Sequence, residues 1–352
     1  MNFASDNAGP AAPEVIEAVC RANEGHAASY GAEPLMELVL EEVRRQFEAP
    51  EASVHLVATG TAANALSVAC LCPPWSTIYC HRHSHIEEDE CGAPEFFTGG
   101  AKLTLLDGDH AKIKPCALHR KLDGAAPVGV HNVQRGVLSV TNATENGSVY
   151  ACQEVSELTA TARGFGLPCH MDGARFANAV VSTGCTAAEM SWKAGIDILS
   201  FGGTKNGLLG VEAVVIFAPE QAWEFELRRK RGGHLFSKHR FLSAQMATYL
   251  KDGLWKTLAA RSNRMAAKLA AGLSELDRAT IVHPVDANMV FAKLTRSAHR
   301  RAFASGAKYY LWPPAQSLEG KESKLLEARF VCNWSTTDDE IAELLECLRE
   351  KS

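Results

Sequence analysis

Two residues in this chain have the types and setting for cofactor chemistry. Lys205 follows the apolar stretch Ile196-Asp197-Ile198-Leu199 and sits in Ser200-Phe201-Gly202-Gly203-Thr204-Lys205-Asn206-Gly207. Upstream, His170-Met171-Asp172-Gly173-Ala174-Arg175 places an aspartate at the end of another apolar run. The interval between the two leaves room for a helix and a strand. A carboxylate that keeps a pyridinium nitrogen protonated, together with a lysine amine that forms a Schiff base, is what pyridoxal 5'-phosphate requires of a protein. Alone, each has a plainer reading. Asp172 could cap a helix over Ala174–Val181, and Lys205 could be a surface lysine. Ends of apolar strands are nevertheless where α/β folds build their sites.

Other residues join this pair. Gly60-Thr61-Ala62 lies at a strand-to-helix junction, where free amides, the helix dipole and the Thr61 hydroxyl can face a phosphate. Arg175 is placed to pair with Asp172 or to reach that phosphate. Cys80-His81-Arg82-His83-Ser84-His85 admits a zinc reading, because strand alternation would put His81, His83 and His85 on one face. A metal explains neither the lysine nor the phosphate turn, so no metal is expected. His85 is better used as a flat ring stacked on the pyridine, with His83 as the alternative. Arg329, in Glu327-Ala328-Arg329-Phe330-Val331, is costly in an apolar strand unless it meets an anion. A substrate carboxylate or an internal ion pair would each satisfy it. The basic run Arg228-Arg229-Lys230-Arg231 precedes two glycines; it is a solvated face or, through Arg231, a second phosphate contact across a subunit boundary.

The elements that must position these residues are legible in the pattern. Helical spacing marks Pro13–Arg21, Glu37–Phe47, Ala62–Leu71 and Glu154–Gly164. Short apolar runs at 54–58, 78–80, 103–106, 137–142, 168–171, 196–201 and 211–217 predict strands. Strands alternating with helices imply a mainly parallel sheet covered on both faces. Beyond about residue 245 the pattern becomes α+β: a long helix over Leu254–Leu276, strands over Ala287–Leu294 and Ala328–Asn333, and a final helix over Asp338–Lys351. The expected domains are therefore 1–245 and 246–352. A chain of 352 residues suits such a division. The net charge of −5, with no long basic block, excludes a nucleic-acid surface. No run of about 18 apolar residues predicts a membrane span, and the first residues lack a signal-peptide pattern. Eleven scattered cysteines without a C-x-x-C pair fit free thiols in a reducing cytoplasm.

Taken together, Ser5-Asp6-Asn7, Tyr30-Gly31, Thr59-Gly60-Thr61-Ala62-Ala63-Asn64, His85 with Glu90, Asp172-Gly173-Ala174-Arg175, Lys205 and Arg329 resemble the threonine aldolases of the β-eliminating lyase group, in the low-specificity, phenylserine-aldolase-like branch. The resemblance spans nearly the whole chain. It implies an aspartate-aminotransferase-like α/β fold, with a mixed, mainly parallel seven-stranded sheet and a small α+β C-terminal domain. It implies cleavage of L-β-hydroxy-α-amino acids to glycine and an aldehyde. Lys205 would bind the cofactor covalently, Asp172 would meet the ring nitrogen, and His85 would stack on the ring. Gly60, Thr61 and Arg175 would surround the phosphate or the 3′ oxygen. Ser5 and Arg329 would hold the substrate carboxylate, with Tyr30 reaching in from a neighbouring subunit of a dimer or tetramer. Glu145 stands where many members carry a histidine, so the base is His85, Glu145 or a water between them. A β-eliminating lyase, transaminase or racemase would use the same lysine and aspartate, and a catalytically silent binding homologue is the remaining alternative.

Overall fold

The computed structural model describes residues 1–125 and 129–349. The large sheet is built from β1 (Ser53–Val57), β2 (Ser76–His81), β3 (Lys102–Leu106), β4 (Gln134–Thr141), β5 (Cys169–Gly173), β6 (Ile198–Gly202) and β7 (Glu212–Ile216). Its order is β1-β7-β6-β5-β4-β2-β3. β3, β2, β4, β5 and β6 run parallel, whereas β7 is antiparallel to both β1 and β6. The sheet is therefore mixed and mainly parallel, with its central strands fully buried, as expected when helices cover both faces.

Along the chain the helices are α1 (Pro13–Ala22), α2 (Pro34–Gln46), α3 (Gly60–Leu71), the short α4 (His85–Glu88) and α5 (Ala93–Thr98), α6 (Pro115–Gly124), α7 (Cys152–Gly164), α8 (Phe176–Thr183), α9 (Ala222–Arg231) and α10 (Arg240–Leu250). α3 is apolar on nearly every side and is buried almost throughout, which marks a helix packed between layers rather than on the surface. The helices at 222–231 and 240–250 have no counterpart among the expected elements. α9 is highly charged, and α10 mixes buried Ser243 and Gln245 into its inner face, so neither carries a clean apolar stripe.

The remaining chain forms α11 (Leu254–Ser274), β8 (Thr280–Ile281), β9 (Met289–Thr295), α12 (Arg296–Ala304), β10 (Tyr310–Leu311), β11 (Leu325–Val331) and α13 (Asp338–Leu348). These strands pair antiparallel in the order β10-β11-β9-β8. The expected extension of the last helix to Lys351 falls outside the described residues. A second apolar core joins α11, β9, β11 and α13, and it includes Phe3 from the N-terminus. Phe3 accepts from Val331 and donates to Lys308 through its backbone. The first residues thus pack with the smaller sheet.

Candidate active site

Asp172 and Lys205 come together at the carboxyl ends of neighbouring strands. Asp172 pairs in register with Ser200 of β6, and Gly202 closes that strand before the turn Gly203-Thr204-Lys205. Close packing makes this turn a glycine site: a Cβ on Gly202 would fall 2.4 Å from the Ala174 carbonyl oxygen. Gly207 then takes a φ of +97°, a conformation that favours glycine. Phe201 anchors β6 from beneath, with its ring edge-on to Phe47 and Trp255. Asn206 donates to the Tyr249 hydroxyl and the Trp255 carbonyl, fixing the far side of the lysine turn.

A cavity of about 410 Å³ opens at this junction, and Asn7, Thr59, Gly60, Thr61, His85, Asp172, Lys205 and Glu212 are among its lining residues. Asp172 is buried. Its Oδ1 accepts from the Ala174 amide at 3.0 Å, while Oδ2 is buried without a hydrogen-bond partner. A buried carboxylate oxygen left unpaired is costly, and a protonated ring nitrogen is the kind of donor that would relieve it. Lys205 lines the same cavity, and among the described residues its amine has no hydrogen-bond or ion-pair partner. Gly60 and Thr61 begin α3, whose first free amides face this space. Thr59 caps the helix by accepting from the Ala62 amide at 3.1 Å, which leaves the earlier amides available for an anion. The residues present therefore fit pyridoxal 5'-phosphate.

His85 opens α4 instead of continuing β2. The strand stops at His81, because the His83 amide donates to His81 Nδ1 and the Ser84 amide to the His81 carbonyl, turning the chain. The alternation that would have gathered His81, His83 and His85 on one strand face is therefore not formed, and the zinc geometry goes with it. His83 instead faces Glu88 at 2.8 Å. His85 Nδ1 lies 2.8 Å from Glu90 Oε1, which also accepts from Asn64 of α3. Burial alone would lower the His85 pKa, but the Glu90 hydrogen bond and the charge of Asp172 outweigh it and raise it. Burial in turn pushes the Glu90 carboxyl up. The 2.8 Å contact couples the two groups.

Arg175 does not pair with Asp172. Its guanidinium is held by Asp6, with Nε 2.8 Å from Oδ2 and Nη2 3.2 Å from Oδ1, and both side chains are buried. Glu145 lies 4.0 Å from Arg175 on the other side. Arg329 occupies β11, where its guanidinium stacks on Trp312 at 4.8 Å and lies 5.6 Å from Tyr310. Its only polar contact among the described residues is a long 3.5 Å approach to the Ala4 carbonyl, and its Nε is buried and unpartnered. The internal ion pair considered for it is absent among these residues. Burial, and then the neighbouring Arg175, lower its pKa; an arriving carboxylate would supply the counter-charge that no described residue pairs with it.

Six expected site residues are not among those lining this cavity: Arg175, Glu145 and Arg329, placed above, and Ser5, Tyr30 and Arg231. Ser5 caps a short turn by accepting from the Asn7 amide. Tyr30 is exposed beneath Lys230, whose Nζ lies 4.8 Å from its ring. Arg231 ends α9 and lines a separate groove with Pro74, Phe96 and Leu227. Three side chains near the cofactor residues carry no role in the sequence pattern: Asp6, Asn64 and Glu212. Two of them left a signal there, since Asn64 lies in an otherwise apolar helix and Glu212 opens an otherwise apolar strand.

A mixed α/β sheet with an unpartnered lysine and an orphaned buried carboxylate at adjacent strand ends defines a pyridoxal-phosphate enzyme of the aspartate-aminotransferase-like fold. The Beta-eliminating lyase family model matches residues 2–297, and the chain belongs to that family. It is 38% identical over 353 residues to a low specificity L-threonine aldolase from Pseudomonas aeruginosa, covering 99% of this chain and 97% of that protein. A low specificity L-threonine aldolase from another Pseudomonas is 37% identical over 349 residues, with the same coverage. Among solved structures, threonine aldolase from Leishmania major superposes with a TM-score of 0.90 at 26% identity, covering 99% of this chain and 98% of the other.

Proposed function

We propose that this protein is a pyridoxal-phosphate-dependent aldolase that cleaves L-threonine, L-allo-threonine and related L-β-hydroxy-α-amino acids, phenylserine included, to glycine and an aldehyde. The observation that carries this reading is the pairing of Lys205 with the orphaned Asp172 oxygen across one cavity, in a chain whose relatives are named threonine aldolases.

Bound pyridoxal phosphate supplies the electron sink that takes up the electron pair of the breaking Cα–Cβ bond. Lys205 would hold the cofactor covalently through its amine. Asp172 keeps a proton on the ring nitrogen. The amides around Gly60 and Thr61 would hold the phosphate, and Arg175, clamped by Asp6, sets a fixed positive charge near Glu145 and Asp172. Arg329 binds the substrate carboxylate, with Ser5 beside it. This contact orients the substrate so that the carbon–carbon bond, rather than another bond at Cα, is the one that breaks. His85 covers the ring. With Nδ1 directed at Glu90, its Nε2 is the atom free to take the proton of the β-hydroxyl, either directly or through a water shared with Glu145.

A two-domain chain divided near residue 245 is supported by the two sheets, and the Arg329 strand belongs to the smaller one. Active sites shared between subunits of a dimer or tetramer are supported by the exposure of Tyr30 and Arg231, both of which this reading needs at a cofactor site. No described helix is long and apolar enough to cross a membrane, and the eleven cysteines are all free thiols, which supports a reducing, cytoplasmic setting.

The test is a product assay. The purified protein should be yellow, with a visible band removed by borohydride. It should release glycine and aldehyde in equal amounts from L-threonine, L-allo-threonine or L-phenylserine. Release of ammonia with a keto acid, or racemised substrate, would assign it to another reaction of the same fold. Replacing Arg329 with lysine keeps the charge but loses the two-pronged fork. The loss of about one charge-assisted hydrogen bond, roughly 1.5 kcal/mol, predicts about a tenfold rise in KM, with kcat changed less. An unchanged KM would remove Arg329 from the carboxylate site.

A further inference from the structure

Glu212 opens β7 and is the one charged residue of that strand, Glu212-Ala213-Val214-Val215-Ile216. Its side chain is buried and lines the same cavity as Thr59, Gly60, Thr61, Thr204 and Lys205. In the sheet it pairs with Val57, just before the Thr59-Gly60-Thr61 turn, and with Gly202, just before the lysine turn. The carboxyl group therefore flanks both turns that form the site. Its Oε2 accepts from the Gly203 amide at 2.6 Å, and the Thr204 side chain also hydrogen-bonds the group. Lys205 faces it from the lysine turn and Tyr249 from α10. The Tyr249 hydroxyl already donates to the Gly202 carbonyl and accepts from Asn206. Asp172, Asp89 and His85 line the cavity from the other strands and loops.

Lys205 is the one lysine or arginine among the described residues that line this cavity with Glu212, and the proposed aldolase function commits that amine to the cofactor. The phosphate brings a second anion into the same cavity. Two negative charges in one cavity oppose each other, and the one that ionises less readily takes a proton. We propose that Glu212 takes up a proton when the phosphate of pyridoxal phosphate enters the pocket, so that the bound state holds it as a neutral carboxylic acid. This inference rests on the proposed placement of that phosphate at Gly60 and Thr61. The proton comes from solvent and adds to Oε1, the oxygen that does not accept from Gly203, and no other bond changes. The acid keeps its bond from the Gly203 amide and gains an O–H donor. The group is already poised for this change: burial pushes its carboxyl up to about 7, against the hydrogen bonds from Thr204 and Gly203 and the charge of Lys205, which hold it down.

The experiment titrates the apoenzyme with pyridoxal phosphate from about pH 6 to about pH 9, in the wild type and in Glu212→Gln. Glutamine imitates the neutral acid and needs no proton. Above the titration of Glu212, wild-type affinity should fall about tenfold more per pH unit than affinity of the variant. Calorimetry in buffers of different ionisation enthalpy should count about one additional proton taken up by the wild type. Pyridoxal, which lacks the phosphate, should show no such difference. Equal slopes and equal proton uptake in the two proteins would overturn the proposal. If the variant does not fold, infrared difference spectra of the wild type with and without cofactor, at alkaline pH, still decide the matter. A new protonated-carboxyl band supports the proposal, and its absence refutes it. A wild type that fails to bind pyridoxal phosphate at all would instead remove the cofactor reading, and this inference with it.

Discussion

Lys205→Ala should leave a protein that no longer holds pyridoxal phosphate covalently and has almost no aldol cleavage. The lysine is half-buried in the cavity that Asp172, His85 and Thr61 also line, and no other lysine lines that cavity among the described residues. Loss of its proton transfers alone predicts a fall of roughly 10² to 10⁴-fold in turnover, and loss of the covalent attachment adds to it. Borohydride treatment followed by mass analysis should find the cofactor fixed to the wild type and absent from the variant. Stability should change little, because the amine has no partner to lose. Full turnover in the variant would move the cofactor to another lysine and dismantle the proposed site.

Asp6→Ala should be the most destabilising substitution near the site. The Asp6 carboxylate meets Arg175 through two hydrogen bonds and also accepts from Asn288 at 3.1 Å. Asn288 in turn donates to the Cys332 carbonyl. One carboxylate thus ties the N-terminal segment to the large sheet and to the smaller one. Removing it leaves the buried Arg175 with Glu145, at 4.0 Å, as its one remaining ion-pair partner among the described residues. Breaking such a buried pair from one side costs about 3–5 kcal/mol, which should appear as a lower urea midpoint with little change in slope. Replacing both partners with apolar residues, Asp6→Leu with Arg175→Met, should recover much of the loss. Additive losses in the double variant would show that the pair itself is not the source. The same carboxylate sets an acid limit. Burial pulls its pKa up, but Arg175 and Lys205 outweigh that and hold it below the ordinary 3.8. A depressed carboxyl contributes stability above its unfolded value, so this contribution is complete above about pH 4 and is lost as the pH falls toward the folded value.

Much of this site could be read from one dimension because its chemistry lies in short local patterns. The turns 59–61, 172–175 and 202–207 each sit at the end of a strand and each carries glycine; at Gly173 and Gly202 close approach of neighbouring backbone requires it, whereas a Cβ on Gly60 would meet nothing within 4 Å. The strands of the large sheet were legible for a similar reason, since strands buried on both faces read as plain apolar runs. The two-residue strands at 280–281 and 310–311 offered no such run, and the charged helix at 222–231 offered no stripe. Strand alternation alone could not place the histidines, because side-chain and backbone hydrogen bonds turn the chain after His81.

Sequence by itself determined the type of chemistry, since the lysine, the aspartate and their apolar approaches are local properties of the chain. Partnership was decided only by the tertiary structure. Arg175 belongs to Asp6 rather than to its neighbour Asp172, Glu90 draws His85 and Asn64 onto one carboxylate, and Arg329 is left stacked on Trp312 with no counter-ion of its own among the described residues. The reason is that strand register and helix packing set which charges are buried together. The cost of burying a charge depends on what lies within a few ångströms of it, not on what lies a few residues away.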